Sequence, residues 1–209
     1  MTPYRKITSN IAGKLNLLET YLFYCLALCS NCSTMTSYSK QDNLANFYGI
    51  KKTDQIRKWL HKFESLGLVS INKSDVHGQY GIFNRCSYEL DTGHYVLITN
   101  KLYDEPIGKE LKGFLILLKC KCLNGTNTTL YSQNRLAEEF GLSKGTISKY
   151  INEAEEKGYV KRDKKGIHLL REDIFLITSE SQLAIIKNIY PGIITDEDLE
   201  RGYVVYAKP

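Results

Sequence analysis

The sequence contains no apolar run of the roughly 18 to 20 residues that a membrane-spanning helix requires, so no membrane partner is expected. Its most apolar stretch, Leu15 to Cys29, is interrupted by Asn16 and Glu19. Arg5, Lys6 and Lys14 precede that stretch as basic residues precede a secretory leader, but Leu28 stands before Cys29 where cleavage would need a small side chain. The stretch therefore reads as the first helix of the folded protein. Histidine is scarce and scattered, at positions 61, 77, 94 and 168, and none has a catalytic partner in view. His77, among glycines, reads as a loop residue and not as a pH sensor. No glycine loop to cradle phosphates is present, no paired carboxylates beside a histidine, and no nucleophile with a base at motif spacing. We therefore expect no enzyme, no catalytic residue and no cofactor. An excess of one charge is nearly missing too: a net charge of +5 and a pI near 8.7 permit a polyanionic partner without demanding one.

Six cysteines are present, but not in a pattern that holds a metal. Cys25, Cys29 and Cys32 share one helix face running into a turn, Cys120 and Cys122 sit at the equivalent place further on, and Cys86 stands apart. Zinc sites pair thiolates with each other or with histidine at short spacing. No histidine lies near either group, so the reading is free thiols in reducing cytosol, and a cytoplasmic protein.

What the chain does have is a repeat. Leu44-Ala45-Asn46-Phe47-Tyr48-Gly49-Ile50 returns as Leu136-Ala137-Glu138-Glu139-Phe140-Gly141-Leu142, and each copy leads to an amphipathic segment closing on Gly67-Leu68-Val69 or Gly158-Tyr159-Val160. Outward, Ile7-Thr8 aligns with Ile98-Thr99 and Cys29 with Cys122. A unit of roughly 90 residues is thus duplicated, the size of a small domain. The expected class is mainly α with small β wings (α+β), organised as two tandem winged helix-turn-helix domains: residues 1–97, residues 98–178, and a C-terminal helix and acidic tail over 179–209.

In the second copy, Leu111, Phe114, Leu115 and Leu118 mark one face of a helix that opens near Ile107. Asn124 and Gly125 end it as turn residues do. Ser132 caps a helix over Gln133 to Phe140, Gly141 supplies the left-handed turn, and Ser143 caps a helix from Lys144 to about Lys157. Ile147, Ile151 and Ala154 form the buried stripe of this last helix, with Tyr150 at its margin. Ser143, Lys144, Thr146, Ser148, Lys149 and Asn152 are left to meet base edges and phosphates. Beyond Gly158, Tyr159 to Arg162 pairs with Ile167 to Leu169 as a hairpin, giving a basic wing of Lys161, Arg162, Lys164 and Lys165 for the DNA backbone.

The first copy repeats the scheme with helices over Leu17 to Cys29, Asp42 to Tyr48 and Thr53 to about Leu66, with one extra residue in the turn. Ile56, Leu60 and Phe63 face inward. Lys51, Lys52, Thr53, Gln55, Arg57 and Lys58 are the DNA candidates, and Lys62 is left for solvent or DNA. Its wing is longer, with Val69 to Ile71 pairing with Asn84 to Leu90 across a loop that holds Lys73, His77, Gly78, Tyr80 and Gly81. The tail spaces Leu183, Ile185 and Ile186 helically, breaks at Pro191-Gly192 and ends in an acidic turn at 195–200, so it is expected off the DNA face, bracing the second domain or docking on another subunit.

The run from Leu136 through Gly141-Leu142-Ser143, Thr146-Ile147-Ser148-Lys149 and Gly158-Tyr159-Val160 resembles the winged-helix signature of many bacterial regulators. Ile98-Thr99-Asn100 with Leu102, then Leu111-Lys112-Gly113-Phe114, resembles the opening of winged-helix domains in plasmid and phage replication initiators and DnaD-like primosomal proteins. That resemblance implies binding of double-stranded DNA at an origin, each domain in a separate major groove. Two alternatives stand beside it: a repressor on an operator, and a protein-interaction module like the chromosome-condensation accessory proteins. Other partners would be a second copy of the chain, or replication or transcription proteins.

Overall fold

A reciprocal cap starts the first long helix, α1 (Leu17–Leu28). Asn16 Oδ1 accepts from the Glu19 amide at 2.9 Å, and the Glu19 carboxylate accepts from the Asn16 amide at 3.0 Å. Two of the donors that a helix start leaves free are thereby satisfied. Tyr21 through Ala27 are buried without a break, so α1 is apolar around its whole circumference and is covered on every side. The computed structural model describes residues 4–78, 81–123 and 126–177. The expected tail helix and acidic turn, the Asn124-Gly125 turn and Tyr80 lie outside them.

Before α1 come strand β1 (Tyr4–Thr8) and a 3-10 turn (Ser9–Ile11); after it come β2 (Thr36–Ser37), α2 (Gln41–Tyr48), α3 (Thr53–Ser65), β3 (Val69–Gly78) and β4 (Gly81–Leu90). The second half runs β5 (Tyr95–Thr99), α4 (Lys101–Asp104), α5 (Lys109–Cys120), β6 (Thr128–Thr129), α6 (Gln133–Phe140), α7 (Lys144–Glu156), β7 (Val160–Asp163) and β8 (Gly166–Leu169). Each half thus has a long helix, a short strand, two helices and a hairpin. The antiparallel sheets are ordered alike, β2-β4-β3 and β6-β8-β7. Seven α-helices and small antiparallel sheets make the class mixed α and β among the described residues.

The turns follow their glycines. Gly49 ends α2 at φ 81° and Gly141 ends α6 at φ 64°, both left-handed, where a side chain would be strained. Four residues separate Tyr48 from Thr53 and three separate Phe140 from Lys144, which is the extra turn residue of the first copy.

The first hairpin differs from its expectation. Its ladder runs from Val69 opposite Leu90 to Gly78 opposite Gly81, so Lys73, His77, Gly78 and Gly81 belong to strands and not to a loop. Asn72 to Asp75 are exposed and polar, and a ribbon with solvent on both sides shows no alternation of apolar residues by which to find it. The 101–104 helix and the pairing of β1 with β5 likewise go beyond what the sequence predicts.

The buried side chains form one continuous cluster through both halves. At its centre α1 lies against α5, and Gly113 sets how closely. A Cβ there would collide with the Leu17 carbonyl oxygen, so a glycine is required for the backbones to approach this closely. Below the joint β1 pairs with β5, and residues 174–176 lie alongside β5: the Thr99 amide donates to Ile174 at 2.9 Å and the Leu176 amide to Leu97 at 3.2 Å. Lys119 fastens this segment, donating to Leu176 O at 2.9 Å, Thr126 O at 2.7 Å and Asn127 Oδ1 at 2.6 Å. Burial pulls the Lys119 amine down to about 8.

Candidate nucleic-acid interface

In the second half, hydroxyl caps position the candidate reader. Ser132 Oγ accepts from the Arg135 amide at 3.2 Å to start α6, and Ser143 Oγ accepts from the Thr146 amide at 3.1 Å to start α7. The Thr146 hydroxyl lies 2.8 Å from that of Ser143, so both are partly committed to the cap. Ile147, Ile151 and Ala154 are fully buried, as their spacing requires. Tyr150 is a core residue and not a marginal one: it is 6% exposed, stacks on Phe114 at 5.5 Å, and donates to Glu110 at 2.7 Å. Burial, then the Glu110 carboxylate, pushes its phenol up to about 12.

Lys144, Lys149 and Asn152 are exposed, whereas Thr146 and Ser148 are half-buried. Lys149 and Asn152 lie opposite the buried stripe, on the side that a groove would meet. In the hairpin Lys161, Lys164 and Lys165 are exposed and form no ion pair with a described residue. Arg162 is different, because its Nε and its amide donate to Glu155 at 3.0 and 3.2 Å. Its charge is already paired, and the same contact holds the Glu155 carboxyl below its ordinary range. Asp163 shapes the tip by accepting from the Lys165 amide at 2.7 Å and facing His168 Nε2 at 2.9 Å.

The first half places its candidates on the same elements with another chemistry. Lys51, Lys52, Gln55, Arg57 and Lys58 are exposed and Thr53 is half-buried. Arg57 lies 3.6 Å from Asp54 in a solvent-exposed pair of little energetic weight. Lys40 and Lys52 stand at the N-caps of α2 and α3, and neither helix has a side-chain cap bond. Lys62 does not join this set. Its Nζ lies 2.6 Å from the Glu19 carboxylate, which is 6% exposed, and an ion pair to so buried a carboxylate outweighs a solvent contact.

Between α2, α3 and β4 opens a cleft of about 580 Å³ whose lining includes Tyr38, Lys40, Thr53, Arg57 and Arg85. The Arg85 guanidinium sits 4.3 Å from the centre of the exposed Tyr38 ring. Sequence reasoning missed Lys40, Tyr38 and Arg85. Arg85 falls within the strand expected over Asn84 to Leu90, and that strand's place beside α3 was the available signal. Among the described residues no group of histidine, cysteine and carboxylate side chains is placed to hold a metal. Cys25 is fully buried, and burial pushes its thiol up to about 12.

Residues 109–160, from the start of α5 to the first residue of β7, match the family model of a helix-turn-helix domain. With the β6-β8-β7 sheet, this part of the chain has the helix, strand, helix, turn, helix and hairpin of a winged helix-turn-helix, a fold suited to DNA. No curated protein and no solved structure matches the chain significantly. No helix among the described residues is long and apolar enough to cross a membrane.

Proposed function

We propose that the protein binds double-stranded DNA with both halves, residues 1–97 serving as a second winged helix beside residues 98–178. The observation that carries this is the recurrence of one element order with exposed lysines that form no ion pair with a described residue: Lys51 and Lys52 just before α3 and Lys58 on it, Lys144 and Lys149 on α7. Lys161, Lys164 and Lys165 would contact phosphates beside α7 and release counterions. Arg57, Gln55, Thr53 and Asn152 would supply donors for base edges, with Ser143, Thr146 and Arg162 in reduced roles because their polar atoms serve the cap or Glu155, and Ser148 because it is half-buried.

The action is non-enzymatic, needs no cofactor and takes place in the cytoplasm. It serves replication initiation of a plasmid or other mobile element, for which the opening of the second repeat is the support. Binding to random duplex DNA at low and physiological salt, with sequencing of the bound fraction, tests the reading. An enriched motif within spaced repeats at an origin supports initiation, and one overlapping a promoter moves the role to transcriptional repression. Binding that is absent or motif-free removes it and leaves a protein-interaction module.

A further inference from the structure

The two halves meet as the subunits of a symmetric dimer do. β1 opens the first half and β5 the second, and they pair antiparallel: Tyr4 opposite Thr99, Lys6 opposite Leu97, Thr8 opposite Tyr95. A half-turn exchanges two such strands and leaves the ladder unchanged, whereas strands related by translation would run parallel. Near their starts the helices meet, Leu17 of α1 against Gly113 of α5 and Lys112 of α5 over the Tyr21 ring of α1 at 5.5 Å. The loops obey the relation of the strands. Gly13, ahead of α1, approaches the backbone of Glu139 near the end of α6, and Tyr103, ahead of α5, donates to the carbonyl of Phe47 near the end of α2 at 3.0 Å. The strand register and the loop contacts of one half thus have counterparts in the other, as in an isologous interface.

Both candidate readers are fixed to this joint at the same end. Lys62 of α3 pairs with Glu19 in the first turn of α1 at 2.6 Å, and Tyr150 of α7 donates to Glu110 in the first turn of α5 at 2.7 Å. Lys149 and Tyr150 also share a small cleft with Leu18 of α1. The two reader helices therefore flank the place where α1 and α5 meet.

A duplex has two-fold axes perpendicular to its length, and a protein with a two-fold axis presents equivalent elements to one duplex by aligning the two axes. We infer that one chain reads two inverted half-sites about a single dyad of the DNA, as a dimer fused into one polypeptide. This rests on the DNA-binding reading above, and it specifies what that reading leaves open: the half-sites within one bound site are inverted and not direct repeats, and one copy of the chain occupies both. The half-sites differ in base sequence, because α3 presents Gln55 and Arg57 where α7 presents Thr146 and Ser148.

Making the readers alike exposes the symmetry. Thr53→Lys, Asp54→Gly, Gln55→Thr, Arg57→Ser and His61→Asn together give α3 the outward residues of α7, with Lys58 already matching Lys149. Selection from random duplex DNA by this variant is expected to return an inverted repeat of one half-site, bound at least about tenfold more tightly than the same half-sites in direct orientation. A direct repeat, or a single half-site with no second, overturns the inference while DNA binding stands. Failure of the unaltered protein to select any motif removes both. Should the variant not fold, hydroxyl-radical cleavage of the unaltered complex decides instead. Protection on the two strands mirrored about one central base pair supports the inference, and a pattern repeated by translation along one strand overturns it.

Discussion

At the starts of the two helices that follow the short strand, the two halves carry opposite chemistries. Ser132 and Ser143 accept from the helices they precede, so α6 and α7 are complete in the free protein. At the matching places in the first half stand Lys40 and Lys52, which offer no acceptor and put positive charge where the helix dipole is already positive. A hydroxyl cap is worth about 0.5–2 kcal/mol. The first half forgoes this twice and gains two cations at its helix starts, of which Lys40 lines the cleft. The second half caps α7 with a hydroxyl and carries exposed lysines on α7 and the hairpin; the first concentrates charge at the helix starts. The two halves, alike in element order, thus differ in how their helices begin: capped in one, positively charged in the other.

The largest effect should come from prying the halves apart. Gly113→Ala must displace the Leu17 backbone, and backbone yields far less readily than the end of a side chain. We expect destabilisation by about 3 kcal/mol or more, measured by urea unfolding. Gly145→Ala in α7, where an added Cβ meets only Ser143 Oγ at 3.8 Å, should be near neutral. Equal stability of the two variants would show that α1 and α5 do not hold the halves together.

DNA affinity should separate the halves next. Lys144→Ala with Lys149→Ala is expected to weaken binding about tenfold or more and to alter the preferred bases in one half-site only. Lys164→Ala with Lys165→Ala should weaken all sequences alike and lower the slope of log affinity against log salt by about one for each phosphate no longer neutralised. Fluorescence anisotropy over a salt series checks both. A uniform weakening from the first pair would mean that α7 touches the DNA backbone and does not read bases.

The sequence disclosed the parts that repeat or alternate. The stripe of Ile147, Ile151 and Ala154, the serine caps and the left-handed glycines stand where spacing put them, because each depends on neighbours within a few residues. What it hid depends on partners far along the chain. Nothing in Tyr4–Thr8 announces that it pairs with Tyr95–Thr99, and nothing in Gly113 announces the backbone of Leu17. Lys62 looks like a surface lysine until Glu19 is found buried beside it. The candidate site was legible as a set of exposed residues; which of their charges are free was not, since Arg162 and Glu155 lie on different elements.

Acid should loosen the segment 171–177 from the rest of the second half. Asp173 accepts from Arg171 at 2.8 Å and from Lys101 at 3.1 Å, and these partners hold its carboxyl far below the usual carboxylate range. A depressed carboxyl contributes stability that is present above its unfolded value of about 3.9 and fades as pH falls through the folded one. The midpoint of thermal unfolding should therefore drop below about pH 4, and Asp173→Asn should flatten that part of the profile. An unchanged profile would mean that Arg171 and Lys101 do not fix the 171–177 segment.

The smallest effect is the sharpest test of the division between the halves. Lys52→Ser gives α3 the cap that Ser143 gives α7, and should stabilise the free protein by about 0.5–1 kcal/mol. The same change removes a cation at the start of α3 and should weaken DNA binding several-fold, with the difference shrinking at high salt. Ser143→Lys in the second half should do the reverse to stability, because its caps are in use. If Lys52→Ser stabilises the protein without weakening binding, the lysines at the helix starts are not what attracts DNA. The first half would then depend on Arg57 and Arg85, which line the cleft, and on exposed Lys58 of α3.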